Sequence, residues 1–470
     1  MSATATTEKK YLKWYQKLAY GSGDLASNCS YGLVSSFVLL YLTGTLGLDS
    51  AIIGSLMLAS KVLDGISDVI FGTLIDRTHS KLGKARPWML FGQVGVSLCL
   101  FLLFAIPAGS TTMQYIYFFI VYTALNAVFY TANGIAYSSL VALITKNNNE
   151  RVQLGSFRFM FAVVTNIFMG FAVTGMVEKF GSGAAGWRTT ALIFAIVGLV
   201  VNTISCLAVK ELPEEELSDN TSEAAEEGKA VAKEKKHGFA ETAKILIHNK
   251  YYLMILAIYI VYYIMSNLTT GAGVFCATYY WGDGSLLGQF SMMKMFPVII
   301  ALAIAPVLIK KTGSMQKVNF WGYAISSVLG IPMIYFAMQK NISMFLLFMF
   351  IKGIFAGTLS GSLNALIAEA SGYTTRTTGV HMDGMMYSCS SLGVKVGGGI
   401  GTAAVGWLLK LGGFVGTATV QSESAIRMIF NLYITFPFVI GIIITVLLAF
   451  LDVEKANKKW DAEHQKEAQA

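Results

Sequence analysis

The sequence predicts an all-α polytopic membrane protein with twelve transmembrane helices in two sets of six. Three observations carry that expectation. Only 13% of the 470 residues are charged and 54% are hydrophobic, whereas a soluble domain carries roughly 25% charged residues. The apolar residues are gathered into blocks, and about 20 of them, rising ~1.5 Å each, cross a ~30 Å hydrocarbon core once. A polar stretch in mid-chain, KELPEEELSDNTSEAAEEGKAVAKEKKHGFAETAKILIHNK, separates the blocks into two groups.

Taken in order, the first-half spans fall at 20–46, 50–76, 86–107, 113–145, 153–178 and 188–208. Those of the second half fall at 251–281, 288–309, 317–338, 343–368, 384–410 and 427–451. The chain begins polar, from Ser2 to Lys10, and no small-residue cleavage pattern follows the first apolar run. The first span therefore reads as a permanent helix, not a removable signal peptide. Residues 1–208 make one six-helix bundle and 251–451 the other, with 452–470 as a cytoplasmic tail. The mixed-charge segment 209–250 reads as a solvated cytoplasmic linker.

The loop after the second span, DRTHSKLGKARPW, has a weaker counterpart after the eighth, LIKKTGSMQK. Two parallel six-helix repeats are the expectation for the major facilitator architecture, with a substrate site near the bilayer midplane.

Basic residues alternate between loops. Lys9, Lys10, Lys13 and Lys17 precede the first span; Arg77, Lys81, Lys84 and Arg86 follow the second; Lys146 and Arg151 follow the fourth. Lys310, Lys311 and Lys317 follow the eighth, and Lys455, Lys458 and Lys459 follow the last. The other loops hold few, which places both termini in the cytoplasm and the chain in the inner membrane. The formal net charge of +8 is accordingly a matter of topology, and no nucleic acid is expected as a partner. Five cysteines, each within an apolar block, offer neither paired spacing nor a zinc pattern. No cofactor is expected.

Ionised side chains inside a spanning helix cost ~2.5–3.5 kcal/mol each on insertion scales, so each asks for a partner or a wet cavity. The second span, KVLDGISDVIFG, holds Asp64, Ser67 and Asp68 at i, i+3 and i+4, on one helical face. Two carboxylates this close repel when both are ionised, which calls for a bound cation or a shared proton. Lys61, one turn before Asp64, is placed to neutralise it. Arg158 lies early in the fifth span, and Lys395 in the middle of the eleventh. Lys395 stands amid Gly393, Gly397 and Gly401, whose spacing makes a smooth strip for a neighbouring helix. The ammonium of Lys395, held at mid-membrane, must be offset by carboxylates, with Asp64 and Asp68 as the expected partners.

Sugars are held by carboxylates, amides, cationic donors and aromatic faces. The first span offers Asp24, Asn28 and Tyr31, and the fourth offers Asn126, Tyr130, Thr131, Asn133 and Tyr137. Asn267, Lys352 and Asn364 lie in apolar surroundings in the second half.

The runs KVLDGISDVIFGTLIDRTHSKLGKARPW, YGSGDLASN, FYTANGIAYSSL, SFRFMFA and LGVKVGGGIG together resemble the glycoside, pentoside and hexuronide cation symporters, the family of melibiose permease. That resemblance implies a major facilitator fold, and symport of a sugar with sodium, lithium or a proton. It implies Asp64 and Asp68 as the carboxylates of the coupling-ion site, holding Na+ if sodium is the ion, with Thr131 as the hydroxyl beside them. Ser67 stands where sodium users of the melibiose type carry Asn. Arg158 and Lys395 match basic positions at the family's sugar and cation sites. Asn28, Gly134 and Ser138 replace two aspartates and a tryptophan of the melibiose pattern, which argues against a galactoside and leans towards a xyloside or uronide.

The expected function is sugar:cation symport by alternating access, in a monomer in the lipid bilayer. A carrier of lysophospholipid or another organic solute on the same fold is the alternative. An enzyme using Asp64 and Asp68 as acid and base finds no further group to complete its site.

Overall fold

The computed structural model describes residues 9–213, 245–379, 383–418 and 420–467. Among them every regular element is a helix. Eleven helices are long and apolar enough to cross a membrane. A further long helix, Ser50–Asp76, carries the charged cluster. Most of 209–250 lies outside the described residues.

The chain forms two compact units, Met1–Ala230 with Val415–Thr419 and Val231–Phe414 with Val420–Ala470. The first holds α1 (Trp14–Thr45), α2 (Ser50–Asp76), α3 (Arg86–Leu103), α4 (Thr111–Ile144), α5 (Asn148–Lys179) and α6 (Gly183–Leu207). The second holds α7 (Lys250–Trp281), α8 (Leu286–Thr312), α9 (Met315–Met338), α10 (Ile342–Thr378), α11 (Asp383–Leu411), α12 (423–450) and a polar terminal helix, α13 (Val453–Glu467).

Local sequence explains where these helices begin. A helix start leaves backbone N–H groups without partners, and a side-chain oxygen just before it satisfies them. Asp49 does this for α2, Ser110 for α4, Asn147 for α5 and Asn341 for α10.

At α3 the cap comes from far along the chain, and at α9 a distant carboxylate joins the local cap Ser314, which accepts from the Lys317 N–H. Glu211, just past α6, accepts from the N–H groups of Lys84, Ala85 and Arg86 at 2.7, 2.9 and 3.0 Å. Glu454, just past α12, accepts from Ser314 Oγ at 2.5 Å and from the Gln316 N–H at 3.0 Å. Each unit thus ties the start of its third helix to the segment after its sixth, and a carboxylate at a helix N-terminus also meets the positive end of the helix dipole.

Helix packing in a membrane rests on close approach and interhelical hydrogen bonds, since lipid is as apolar as leucine. In the second unit Gly393, Gly397 and Gly401 lie against α7; a Cβ on Gly397 would come within 2.4 Å of the Ile260 carbonyl. Gly353 and Gly357 similarly let α10 approach Pro297 and Ala301 of α8. Outward positions such as Val62, Ile66, Val69 and Ile70 on α2 are exposed and apolar. They suit a lipid surface.

Among the described residues four π-helical segments interrupt the spans. The one that bears on the site is Ala124–Tyr130 in α4; such turns often mark functional positions.

Candidate functional site

In the first unit the polar residues of α1, α2, α4 and α5 converge. Asp24, Asn28 and Tyr31 are spaced to share one face of α1. That face meets α5, where the Arg158 guanidinium Nε donates to Asp24 Oδ2 at 2.6 Å. One turn on, Asn28 donates to the Asp24 carbonyl at 2.7 Å and its Oδ1 accepts from Asn166 Nδ2 at 3.0 Å. Arg158 also lies 4.1 Å from the centre of the Tyr137 ring, a cation–π contact. Tyr137 is itself locked in place, donating to the Tyr20 carbonyl at 2.7 Å. Tyr31 stacks on Tyr130 of α4 with ring centres 5.7 Å apart.

Beside this group lies the α2 cluster. Lys61 Nζ is 3.6 Å from Asp64 Oδ2, with both side chains only 20% and 14% exposed. On the other carboxylate oxygen, Thr131 Oγ1 donates to Asp64 Oδ1 at 2.7 Å, with the Asn126 carbonyl 3.0 Å away as its alternative acceptor. Asn126 lies within the π segment and Thr131 follows directly after it. The irregular turn therefore sets the hydroxyl's approach to α2. Ser67 is buried and donates to the Asp64 carbonyl at 2.9 Å, leaving its oxygen lone pairs as acceptors. Asp68 is partly buried one residue further on.

The structure thus brings Asp64, Ser67 and Thr131 together, with Asp68 next to Ser67 in sequence, and separately gathers Asp24, Asn28, Arg158, Tyr31 and Tyr130. Asn133 is placed elsewhere. It is 2% exposed and donates to the Met89 carbonyl at 2.9 Å and to Gln93 Oε1 at 3.3 Å, so its amide holds α4 to α3. Lys395 is partly buried on α11, in the second unit. There Asn364 accepts from the Tyr259 hydroxyl at 2.9 Å and Asn267 donates to the Tyr263 carbonyl at 2.9 Å. Sequence reasoning passes over Asn166, a partner of Asn28 that only the α1–α5 contact discloses. It also passes over Lys294, a lone lysine in the apolar run QFSMMKMFPVII, which the rule on intramembrane charges would have found.

In charge terms, Lys61, Asp64 and Asp68 sum to −1 when ionised, and Asp24 with Arg158 to zero.

A family model described as MFS/sugar transport protein matches residues 19–455. The chain belongs to that family of sugar transporters. This transporter is 26% identical over 466 residues to the isoprimeverose transporter of Lactiplantibacillus pentosus, covering 98% of this chain and 93% of the relative. It is 23% identical over 408 residues to the glucuronide carrier protein homolog of Escherichia coli strain K12, covering 86% and 85%. A solved D-xylose-proton symporter superposes with a TM-score of 0.64 at 12% identity, covering 94% of this transporter and 98% of that structure. At that identity the likeness concerns the fold alone.

Proposed function

We propose that this transporter is a symporter that moves a sugar with one monovalent cation, sodium or a proton, by alternating access. It works as a monomer in the inner membrane with both termini in the cytoplasm. Its relatives support sugar as cargo, since one is named for isoprimeverose and another for glucuronide. The observation that carries the reading is Asp64, held by Lys61 on one oxygen and by Thr131 on the other, with Asp68 one turn along the same helix. Lys61 faces Asp64, and the coupling ion is taken at the carboxylate pair. Asp68, Ser67 and Thr131 supply the oxygens that a hard monovalent cation takes. The Asp24–Arg158 pair, the Asn28–Asn166 amides and the Tyr31–Tyr130 stack offer the charged, amide and aromatic groups that hold a sugar.

Coupling follows if cation and sugar together stabilise conformations that neither stabilises alone. For a neutral sugar, ~100 mV contributes ~2.3 kcal/mol and a tenfold ion gradient ~1.4 kcal/mol, which supports roughly 500-fold accumulation. The test is Asp68→Asn in proteoliposomes. The variant should equilibrate sugar without concentrating it. Full concentrative uptake by Asp68→Asn would overturn the cation-site assignment.

A further inference from the structure

The second unit has a cavity of its own, about 190 Å³, lined by residues of α7, α8, α9, α10 and α12. Two of the side chains lining it are Lys294 of α8 and Lys352 of α10. The glycine contacts between these helices explain how two lysines come to share one space: Gly353 and Gly357 draw α10 onto α8 around Pro297 and Ala301. Lys294 Nζ donates to Thr269 Oγ1 at 3.3 Å and Thr270 Oγ1 at 3.1 Å, both neutral hydroxyls. Lys352 makes neither a hydrogen bond nor an ion pair among the described residues.

No carboxylate is at hand in the sequence either. From Lys250 to Leu411 the acidic residues are Asp283, Glu369 and Asp383. Asp283 lies in the loop after α7, and Asp383 is the first residue of α11. Glu369 accepts from Asn457 Nδ2 of α13 at 2.8 Å, near the end of α10. Two like charges lining one cavity, with only neutral oxygens for company, are an arrangement that an anion completes. The remaining walls fit a sugar. Tyr262, Tyr323 and Tyr433 present aromatic surface and Ser326 a hydroxyl.

We propose that Lys294 and Lys352 form an anion subsite that takes the carboxylate of an acidic sugar, so that the cargo is a uronide and not a neutral glycoside. The inference rests on the reading of the chain as a sugar symporter and adds the charge of its substrate. The two lysines supply the positive charge that holds the carboxylate in the cavity. One coupling cation then travels with one anionic sugar, and the cycle moves no net charge.

The experiment uses purified full-length protein and two matched probe pairs, methyl β-D-glucuronide with methyl β-D-glucoside and methyl α-D-galacturonide with methyl α-D-galactoside. Binding is measured by calorimetry and uptake in proteoliposomes, for wild type, Lys294→Gln, Lys352→Gln and Asp68→Asn. At least one uronide should bind tenfold or more tightly than its neutral partner. Each lysine variant should lose at least tenfold in uronide affinity while affinity for the neutral glycoside changes less than twofold. Lys352→Gln should also unfold at a temperature equal to or above wild type, because it removes an uncompensated charge; a merely structural lysine would lower it. Equal affinity for uronide and glycoside in wild type, or lysine variants that weaken both alike, overturns the subsite. Asp68→Asn separates the two claims: cation-independent wild-type uptake, unchanged in that variant, refutes the symport reading, while the lysine-dependent uronide preference stands or falls on the binding data.

Discussion

The two units handle buried charge in opposite ways. Away from helix ends, the first carries Asp24, Lys61, Asp64, Asp68 and Arg158, three carboxylates against two cations. Its cations are paired, Lys61 with Asp64 at 3.6 Å and Arg158 with Asp24 at 2.6 Å. The second unit carries Lys294 and Lys352 in comparable positions, and the acidic residue on those helices, Glu369, is taken up by Asn457 of α13. Within the spans, one unit therefore carries an excess of carboxylates and the other an excess of lysines. In a medium where each such charge costs ~2.5–3.5 kcal/mol, the difference marks a division of tasks.

The sharpest way to break the comparison is to unbalance the first unit. Asp64→Asn removes the charge that Lys61 faces and one of the two oxygens that Lys61 and Thr131 share. Uphill uptake should fall from many-fold to none, and sugar equilibration should slow as well. Radiolabelled uptake against an imposed ion gradient reads both effects.

Arg158→Gln leaves Asp24 with no cation in its pair. The cost should be about 2 kcal/mol, below the ~3–5 kcal/mol of a fully buried pair, because the two side chains are 24% and 17% exposed. Thermal unfolding of the detergent-solubilised protein checks this. The double variant Asp24→Asn with Arg158→Gln should recover most of the stability and none of the transport. A double variant no more stable than the single would mean that the pair is not what Arg158 supports.

Thr131→Val deletes a hydroxyl that donates to a carboxylate, an interaction worth ~1.5–3 kcal/mol. Cation affinity should drop by about tenfold at unchanged sugar affinity in saturating cation, as measured by the cation dependence of uptake. An equal loss in both would place Thr131 at the sugar and not at the ion.

Ser67→Ala should matter least. Its hydroxyl proton is satisfied on its own helix, by the Asp64 carbonyl, and a neutral hydrogen bond is worth ~0.5–1.5 kcal/mol. A change in cation affinity of about threefold is expected from titrations of cation-stimulated uptake. A tenfold loss would make Ser67 the equal of Thr131.

Much of the fold was legible because hydropathy acts over whole spans. Blocks of about twenty apolar residues leave few alternatives to a membrane helix. The ends were less so: α10 runs on to Thr378, ten residues past the apolar run, because its last turns pack on α13 through Glu369, Arg376 and Asn457. The distant caps at Glu211 and Glu454 were not legible, since no local pattern relates a carboxylate to a helix start more than a hundred residues away.

The cluster on α2 was legible because its spacing lies within one helix. The Lys61–Asp64 contact follows from a separation of three. Arg158 meeting Asp24, 134 residues apart, does not follow from any spacing. Asn133 shows the converse limit, since composition alone cannot tell an amide that packs α4 on α3 from one that faces a solute.

The central claim, one monovalent cation carried at Asp64 and Asp68 with each sugar, is tested most directly by the zero-flux point in proteoliposomes. Opposed cation and sugar gradients are imposed, and the ratio at which net sugar movement stops is recorded for wild type and Asp68→Asn. The account predicts that wild-type flux stops where one cation gradient balances one sugar gradient, and that Asp68→Asn flux stops only when the sugar gradient itself is zero. Wild-type flux that stops at zero sugar gradient, whatever cation gradient is imposed, would contradict it.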